Sequence, residues 1–532
     1  MIEKILIKNF KSIQELFMPL NESMNIIVGN NEQGKSTILE AINLAMSGNL
    51  NGKSIYNELN PYIFNHAAVA DYISRIINRQ NAEPPKILIE VYLKETEQTI
   101  NLKGTNNSRR EDYCGISLSI EFDEEYAEEY KQYIKDSEQI KTVPVEYYKV
   151  NWFSFAYNQI TSRSVPVKCL LIDTTKSSAM YGATRYVSNV IGDTLELKDR
   201  VALTLNYRSL KERFSEIPSI LDLNENLSLK TGEISDKELK VSLDISQKNG
   251  WESNLTAYLD DIPFDLIGKG EQNAVKLKLA LETRAKEAQI ILIEEPENHL
   301  SFTNMSKLIS EINKKCEGKQ ILVTTHSTYV LNKLGLDKVI LLNEQKHMNL
   351  KELNEDTYEY FKKLPGYDTL RLLLSKRAIL VEGPSDELIV QKAYLLKHKC
   401  LPIEHGIDVI TVRGLSFKRF LEIADMLGKN VVVVTDNDGD IEQNINKKYK
   451  TYLDDHPTIK ICYGKNTDYP TLEPQICLYN DLDLLNRIFG TKKKSKSEMM
   501  KYMEKNKSDC AMMLFDTNED LKIPEYIQDA IK

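Results

Sequence analysis

Met24-Asn25-Ile26-Ile27-Val28-Gly29-Asn30-Asn31-Glu32-Gln33-Gly34-Lys35-Ser36-Thr37 is the stretch that decides the fold of the N-terminal half of the chain. An apolar run of strand length, Met24 to Val28, enters a loop of the form G-x-x-x-x-G-K-[ST], and a helical pattern from Thr37 to Met46 leaves it. A strand, a glycine-rich turn and a helix in that order make a cradle for phosphate. The glycines let backbone N–H groups wrap the anion, the lysine neutralises its β and γ oxygens, and the hydroxyl ligates Mg²⁺. Gly29, Asn30, Asn31, Gln33, Gly34, Lys35, Ser36 and Thr37 are therefore the expected nucleotide-binding residues, Ser36 also a metal ligand, with ATP and Mg²⁺ as cofactors.

Further along, Gln289-Ile290-Ile291-Leu292-Ile293-Glu294-Glu295-Pro296 is an apolar strand ending in two carboxylates. A phosphate-bound Mg²⁺ and an attacking water each need an acid, and the two acids must point in different directions. Glu294 suits the ion; Glu295 then polarises the water. Asn298-His299-Leu300 follows, and a second apolar strand leads to Thr324-Thr325-His326-Ser327. Between these pieces and the first loop, Ile267-Gly268-Lys269-Gly270-Glu271-Gln272 sits at a helix start. The order resembles the ATP-binding cassette heads of SMC and RecF-like proteins. That resemblance implies that His326 contacts the γ-phosphate, and that Gly268 and Gly270 belong to a signature loop capping ATP bound to a partner subunit. A head-to-head homodimer or higher homo-oligomer follows from it. Gly268 stands where the signature usually has serine, and Glu294 where the Walker B strand usually ends in aspartate; both departures bear on tight closure and fast turnover. The candidate Q-loop residue is Gln159, after an expected strand from Val150 to Tyr157.

A second constellation lies in Ala378-Ile379-Leu380-Val381-Glu382-Gly383-Pro384-Ser385-Asp386, a buried strand with an acid at its end and a tight turn into a helix near Glu387. Val431-Val432-Val433-Val434-Thr435-Asp436-Asn437-Asp438-Gly439-Asp440 is another buried strand, ending in D-x-D-x-D. Alternate residues of an extended chain share a face, so Asp436 and Asp438 are expected to project together. Three or four carboxylates converging at neighbouring strand ends repel one another unless protonated or bridged by divalent cations, and Mg²⁺ or Mn²⁺ is the economical bridge. An EF-hand loop is a poor alternative. It needs a glutamate at its twelfth position and a helix where this chain has a valine strand.

With Val412-Arg413-Gly414 between them, the paired motifs resemble the Toprim fold of topoisomerases, primases and nucleases of the OLD (overcoming lysogenization defect) family. OLD proteins join an ABC-type head to a C-terminal Toprim domain in this order, and the likeness covers nearly the whole chain. Carried over by position, it implies metal ligands at Glu382, Asp386, Asp436 and Asp438, with Asp440 and Glu473 as further candidates and two ions in all. Glu382 counts with the catalytic groups. Lys507, in Asn506-Lys507-Ser508-Asp509-Cys510, best fits the family's late catalytic lysine. The reaction implied is phosphodiester hydrolysis, with one ion activating water and another stabilising the leaving oxygen. A topoisomerase would need a placed tyrosine nucleophile, which none of the 27 tyrosines announces, and a primase a zinc ribbon.

Length and composition are compatible with this reading. At 532 residues and 42% hydrophobic content the chain can build two or three packed units, an α/β class in each motif-bearing part. The expected division is an ABC-type ATPase domain over residues 1–375, with a helical dimerisation insertion at about 177–230 between strand-like Cys169–Asp173 and Leu239–Ile245. A Toprim nuclease domain over 376–532 follows the linker-like Leu364-Pro365-Gly366 region. Heptads long enough for SMC-type arms are missing. The longest apolar runs are far shorter than the roughly 18 residues of a membrane span, and the N-terminus reads as a strand rather than a secretion signal. A cytoplasmic protein with reduced, mostly buried cysteines is expected, since seven cysteines are spread singly. A net charge of −9 makes the average surface repel nucleic acid, so DNA, the expected substrate, must meet local basic surface. The one clear basic excess runs from Arg487 to Lys507. OLD-like proteins include nucleases of Gabija-type and retron-associated defence systems, which implies an antiphage role and a triggering partner protein or nucleic acid. A non-catalytic ATP-dependent sensor and a RecF-like repair ATPase are the competing readings; the acid set of the second site argues against both.

Overall fold

The computed structural model describes the chain except residues 31–32, 81, 135–139, 174–194, 229–238, 245–250, 252–254, 336–337, 344–345, 350–353, 358, 360–370, 373–374, 413–416 and 454–455. It separates into two compact units, residues 1–27 with 34–330 and residues 28–33 with 331–532. Asn31, Arg413, Gly414, the 364–366 segment and residues 177–194 of the expected insertion lie outside the described residues.

In the first unit β1 (Ile2–Phe10) turns into β2 (Ile13–Pro19), and β3 (Met24–Gly29) leads to the phosphate-loop sequence and α1 (Lys35–Ser47). β4 (Ile87–Leu93), β5 (Tyr113–Phe122) and β6 (Tyr148–Ser154) follow, then β7 (Cys169–Asp173). Helices α2 (Leu197–Phe214) and α3 (Pro218–Ser228) occupy the described part of the insertion. After them come α4 (Lys269–Glu282), β8 (Ile290–Glu294), α5 (Phe302–Lys315) and β9 (Gln320–Thr324). β1, β2, β4, β5 and β6 form an antiparallel sheet. The order β7-β8-β9-β3 is a parallel sheet. β3, β8 and β9 are buried at every position, as strands covered on both faces must be, which is why their sequences are mostly apolar; of the buried polar exceptions, Asn25 and Gln320 have their side chains hydrogen-bonded.

Two expectations are corrected by the fold. β6 covers Tyr148–Ser154 rather than Val150–Tyr157, because the chain turns at Tyr157, whose φ is +63°. No strand forms over residues 239–244; instead, Asn224 exchanges side-chain hydrogen bonds with the Val241 backbone, and Lys211 Nζ donates to the Asp244 carbonyl. Side chains of the two helices thus satisfy backbone groups that a ladder would otherwise pair.

The second unit is built on β10 (Arg377–Val381), α6 (Pro384–His398), β11 (Ile407–Thr411), α7 (Phe417–Met426), β12 (Asn430–Thr435) and β13 (Ile459–Tyr463). They are followed by α8 (Leu472–Tyr479), α9 (Lys496–Lys505), α10 (Lys507–Asp516) and α11 (Glu525–Ala530). The sheet is parallel with order β11-β10-β12-β13. Successive connections leave β10 in opposite directions, so loops diverge at the carboxyl ends of β10 and β12 and open a crevice there. Glu382 and Asp436 are the residues that follow those two ends. No helix among the described residues is long and apolar enough to cross a membrane.

Candidate functional site

In the first unit Lys35, at the head of α1, faces the carboxylates that follow β8, and His326, after β9, meets one of them. Gly34 starts α1 with φ +91°, a left-handed conformation that suits glycine, and a Cβ there would press on Ile13 at 2.9 Å. Lys35 is buried, and burial pushes its amine down to about 8 despite the opposing pull of Glu295, Glu297 and Glu294. Ser36 is half-buried beside it, while Thr37 is buried with its hydroxyl 2.9 Å from that of Ser12. Glu294 is buried at the end of β8, in register with Thr324 on one side and Asp173 on the other. Glu295 takes φ +41° and turns away, its N–H donating to the Thr324 carbonyl at 3.0 Å. Its carboxylate meets His326 Nε2 at 3.2 Å and accepts from Asn298 Nδ2 at 2.9 Å. Burial, then Lys35, pushes the His326 imidazole below its usual range against the pull of Glu295 and Glu297, so the ring is neutral at pH 7.

The signature candidates differ from one another. A Cβ on Gly270 would lie 2.1 Å from the His299 carbonyl oxygen, so only glycine permits that approach. Gly268 is exposed with open space around its Cβ position, and serine would fit there as well. Asn273, one turn along α4, donates to the Asn298 carbonyl at 3.1 Å. Gln159 is exposed and bridges back to Phe153. The polar residues in register with the β8 acid are Asp173, at the end of β7, and Thr324, at the end of β9.

In the second unit Glu382 Oε1 accepts from the Thr435 hydroxyl at 2.6 Å and from the Asp436 N–H at 3.1 Å, which ties the ends of β10 and β12 together. Asp386, in the first turn of α6, accepts from the Gly383 N–H at 3.1 Å. Burial first, then neighbouring Asp386, Glu382, Glu473 and Asp438, pushes the Asp436 carboxyl up to about 9. Burial and Glu382 push Asp386 up to about 7. Asp438 enters this group by an unexpected route: β12 stops at Thr435 and Asp438 has φ +49°, so a loop, not an extended strand, brings it near. Asp440 is exposed, and its carboxylate accepts from the Gln443 N–H at 3.0 Å in the helical turn that follows. Glu473 is buried at the start of α8, and Lys507 Nζ lies 3.3 Å from its Oε2. Burial lowers the Lys507 amine, but Glu473, Asp436 and Asp386 together outweigh it and hold the group above its ordinary value. Among the described residues no group of three or more His, Cys, Asp or Glu side chains is placed closely enough to hold a metal ion as it stands. Glu382, Asp386, Asp436 and Glu473 are nonetheless the oxygen donors that divalent cations take, and burial first, then the neighbouring carboxylates, raises Asp386 and Asp436, a cost that a bound cation would offset.

Residues 1–331 match the model of the AAA ATPase domain family. The chain belongs to that family. Residues 373–438 match the Toprim domain described as overcoming lysogenization defect protein-like. Endonuclease GajA of Bacillus cereus (strain VD045) is 22% identical over 456 residues, covering 82% of this chain and 74% of the relative. The DNA replication and repair protein RecF of Clostridium tetani is 29% identical over 118 residues, 22% of this chain and 30% of that one. The SMC head domain from Thermotoga maritima superposes with TM-score 0.31 at 12% identity, covering 64% of this chain and 94% of that chain.

Several residues that hold the two sites in shape belong to no motif. In the AAA ATPase domain, Glu297 Oε1 accepts from Thr325 Oγ1 at 2.6 Å, His326 N at 2.8 Å and Ser327 N at 3.1 Å. It clamps the loop that carries His326. In the OLD-like Toprim domain, buried Asn437 donates to the Gly464 and Asn466 carbonyls at 2.7 and 3.0 Å and accepts from Gly439 N at 2.9 Å, locking the acidic loop. Tyr526 of α11 is buried, and burial together with Asp436, Asp386, Glu382 and Glu473 raises its phenol far above the ordinary value. The crowding of acids in Glu294-Glu295-Pro296-Glu297 is the sequence signal that could have found Glu297.

Proposed function

We propose that the chain is an ATP-binding and ATP-hydrolysing, divalent-metal-dependent DNA endonuclease that nicks or cleaves duplexes, acting in antiphage defence. The observation that carries the reading is the convergence of acids at the carboxyl ends of neighbouring parallel strands: Glu382 accepts from Thr435 and Asp436, Asp386 caps the helix that follows, and burial first, then neighbouring carboxylates that include Glu382 and Glu473, pushes both Asp386 and Asp436 up. Such a cluster is costly in the apo protein and serves no packing purpose that an apolar residue would not serve better. Glu382, Asp386, Asp436 and Asp438 would hold Mg²⁺ or Mn²⁺, with Glu473 beside them; bound there, two ions supply an activated water and charge stabilisation for the leaving oxygen. Lys507, held on Glu473, places a cation where charge develops on the phosphate.

In the ATPase domain, Lys35 and the loop glycines would bind the phosphates, Ser36 and Glu294 the nucleotide's Mg²⁺, and Glu295 the attacking water. His326, uncharged, would sense the γ-phosphate. A homodimer or higher assembly is supported by the apolar surface of the insertion: Leu197, Val201, Leu205 and Leu210 of α2 are 81, 58, 60 and 64% exposed. The test is supercoiled plasmid with Mg²⁺ or Mn²⁺, with and without ATP, for wild type and Glu382→Ala. Metal-dependent conversion to nicked or linear DNA that Glu382→Ala abolishes is expected; no conversion under any of these conditions would defeat the proposal.

A further inference from the structure

The region from Lys492 to Lys507 holds seven lysines against two glutamates, a net +5 in a chain of net −9. Lys492, Lys494, Lys501 and Lys505 are exposed. Among the described residues none of the four has a carboxylate within ion-pair distance, whereas lysines elsewhere on the surface, such as Lys8, Lys131 and Lys168, sit on Glu15, Glu128 and Glu287. Of the two acids in the stretch, Glu504 makes no ion pair among the described residues, while Glu498 accepts from the Lys494 N–H at 3.0 Å and donates its own N–H to the Ser495 hydroxyl at the N-cap of α9.

Helix energetics do not account for these charges. Lys492 and Lys494 precede the N-cap and Lys496 opens the helix, at the end where the backbone dipole disfavours cations. Lys501 and Lys505 stand four residues apart on one face, a like-charge spacing that weakens a helix by a few tenths of a kcal/mol. The opposite face is fixed by Met499 and Met503, both buried in the core, so the lysines cannot turn inward. Only Lys505, in the last turn, gains from its position.

We infer that Lys492, Lys494, Lys501 and Lys505 form the track on which the sugar-phosphate backbone of double-stranded DNA lies, leading it to the acidic crevice. The inference rests on the nuclease reading and names the surface that reading lacks. Three features favour it. Asn506 is both the last cap of α9 and the first of α10, so the track ends one residue from Lys507, which already reaches Glu473. The ten residues of α9 measure about 15 Å, room for about four phosphates of one strand at roughly 3.4 Å of rise each. The crevice itself is acidic and repels DNA, so cations placed just outside it are what draws the duplex in. A single-stranded platform would interleave exposed rings with the cations; the ring in this stretch, Tyr502, is half-buried with Lys493 Nζ 5.0 Å over its centroid.

The experiment compares wild type with the fourfold variant Lys492→Gln, Lys494→Gln, Lys501→Gln, Lys505→Gln, using a fluorescein-labelled duplex in EDTA across a salt series. Each phosphate that is no longer neutralised lowers the slope of log K against log salt by about 0.9. The variant should therefore lose about 3 to 4 from the slope and bind on the order of a hundredfold more weakly near physiological salt. Its Mn²⁺-dependent hydrolysis of bis(p-nitrophenyl) phosphate should match wild type, since that substrate needs the acids but no track, and the corresponding fourfold Lys→Arg variant should retain the wild-type slope. Unchanged slope and affinity in the glutamine variant would overturn the track while leaving plasmid cleavage, and with it the nuclease reading, intact. Tighter wild-type binding to single strands, with a slope decrease nearer about 0.7 per phosphate, would overturn the duplex assignment. Wild type that neither binds nor cuts DNA would overturn both.

Discussion

Asp436→Asn should make the apo protein more stable while destroying its nuclease activity. The unfolded aspartate titrates near about 3.9, whereas the folded group is pushed up to about 9. Between those values the folded chain binds a proton that the unfolded chain has released, so stability from this group is full below about pH 4 and is lost as pH rises toward 9. Each pH unit above about 3.9 costs about 1.4 kcal/mol, which puts a ceiling of about 4 kcal/mol on the loss at pH 7. Asp436 is partly exposed and shares its repulsion with Asp386, so a gain of about 1 to 3 kcal/mol on substitution is the working figure. Asparagine keeps the shape, and the carboxylate it replaces accepts no hydrogen bond among the described residues. For a unit of this size the gain amounts to roughly 3 to 10 °C in Tm. The assay is thermal melting in EDTA at pH 5 and pH 7.5, then with Mn²⁺. Wild type should melt lower at the higher pH and recover with Mn²⁺; the variant should melt higher than wild type at pH 7.5 and gain little from the ion. A variant that melts below wild type in EDTA and still responds fully to Mn²⁺ would refute the reasoning, because Asp436 would then be a structural residue.

Lys35→Ala should abolish tight ATP binding in equilibrium titration, since it deletes the buried cation at the head of α1; affinity within a few-fold of wild type would move the site. Glu295→Gln should keep ATP binding and slow hydrolysis by about a hundredfold or more, as an amide cannot act as a base; steady-state phosphate release checks it. Glu297→Ala should lower stability by about 2 to 4 kcal/mol by removing charge-assisted hydrogen bonds, and should cut ATP turnover by freeing the loop of His326, read by melting and phosphate release together. Paired Leu197→Ser and Leu205→Ser substitutions should reduce the oligomer measured by light scattering without changing ATP affinity.

The strands that carry both sites can be read from the chain because each is buried on two faces and so is mostly apolar: Met24–Gly29, Ile290–Glu294, Arg377–Val381 and Asn430–Thr435 all appear within a residue or two of expectation. Acids after such runs land at the strand ends automatically. Residues whose role depends on partners far along the chain cannot be read this way. Glu297 acts on a loop 28 to 30 residues away, Asn437 on carbonyls 27 and 29 residues away. Tyr526 comes from the last helix of the chain to lie near Glu382 after β10, Asp386 of α6, Asp436 after β12 and Glu473 of α8. Asp438 does join the other acids, but not through strand alternation, since its left-handed φ is invisible in a D-N-D pattern that equally suits an extended chain. Strand pairing is hidden in the same way, and it is pairing that puts Asp173 rather than Gln159 in register with Glu294.

The Asn298 amide joins elements that lie apart along the chain. His326 leans on one oxygen of Glu295, Asn298 donates to the other, and the Asn298 carbonyl is gripped by Asn273 of α4. The end of β8, the loop after β9 and α4, whose first cap is Gly268, are thus laced together by three contacts in series. Asn298→Ala would cut the middle one and leave the backbone carbonyl that Asn273 holds, so Glu295 would be released while α4 stays tied.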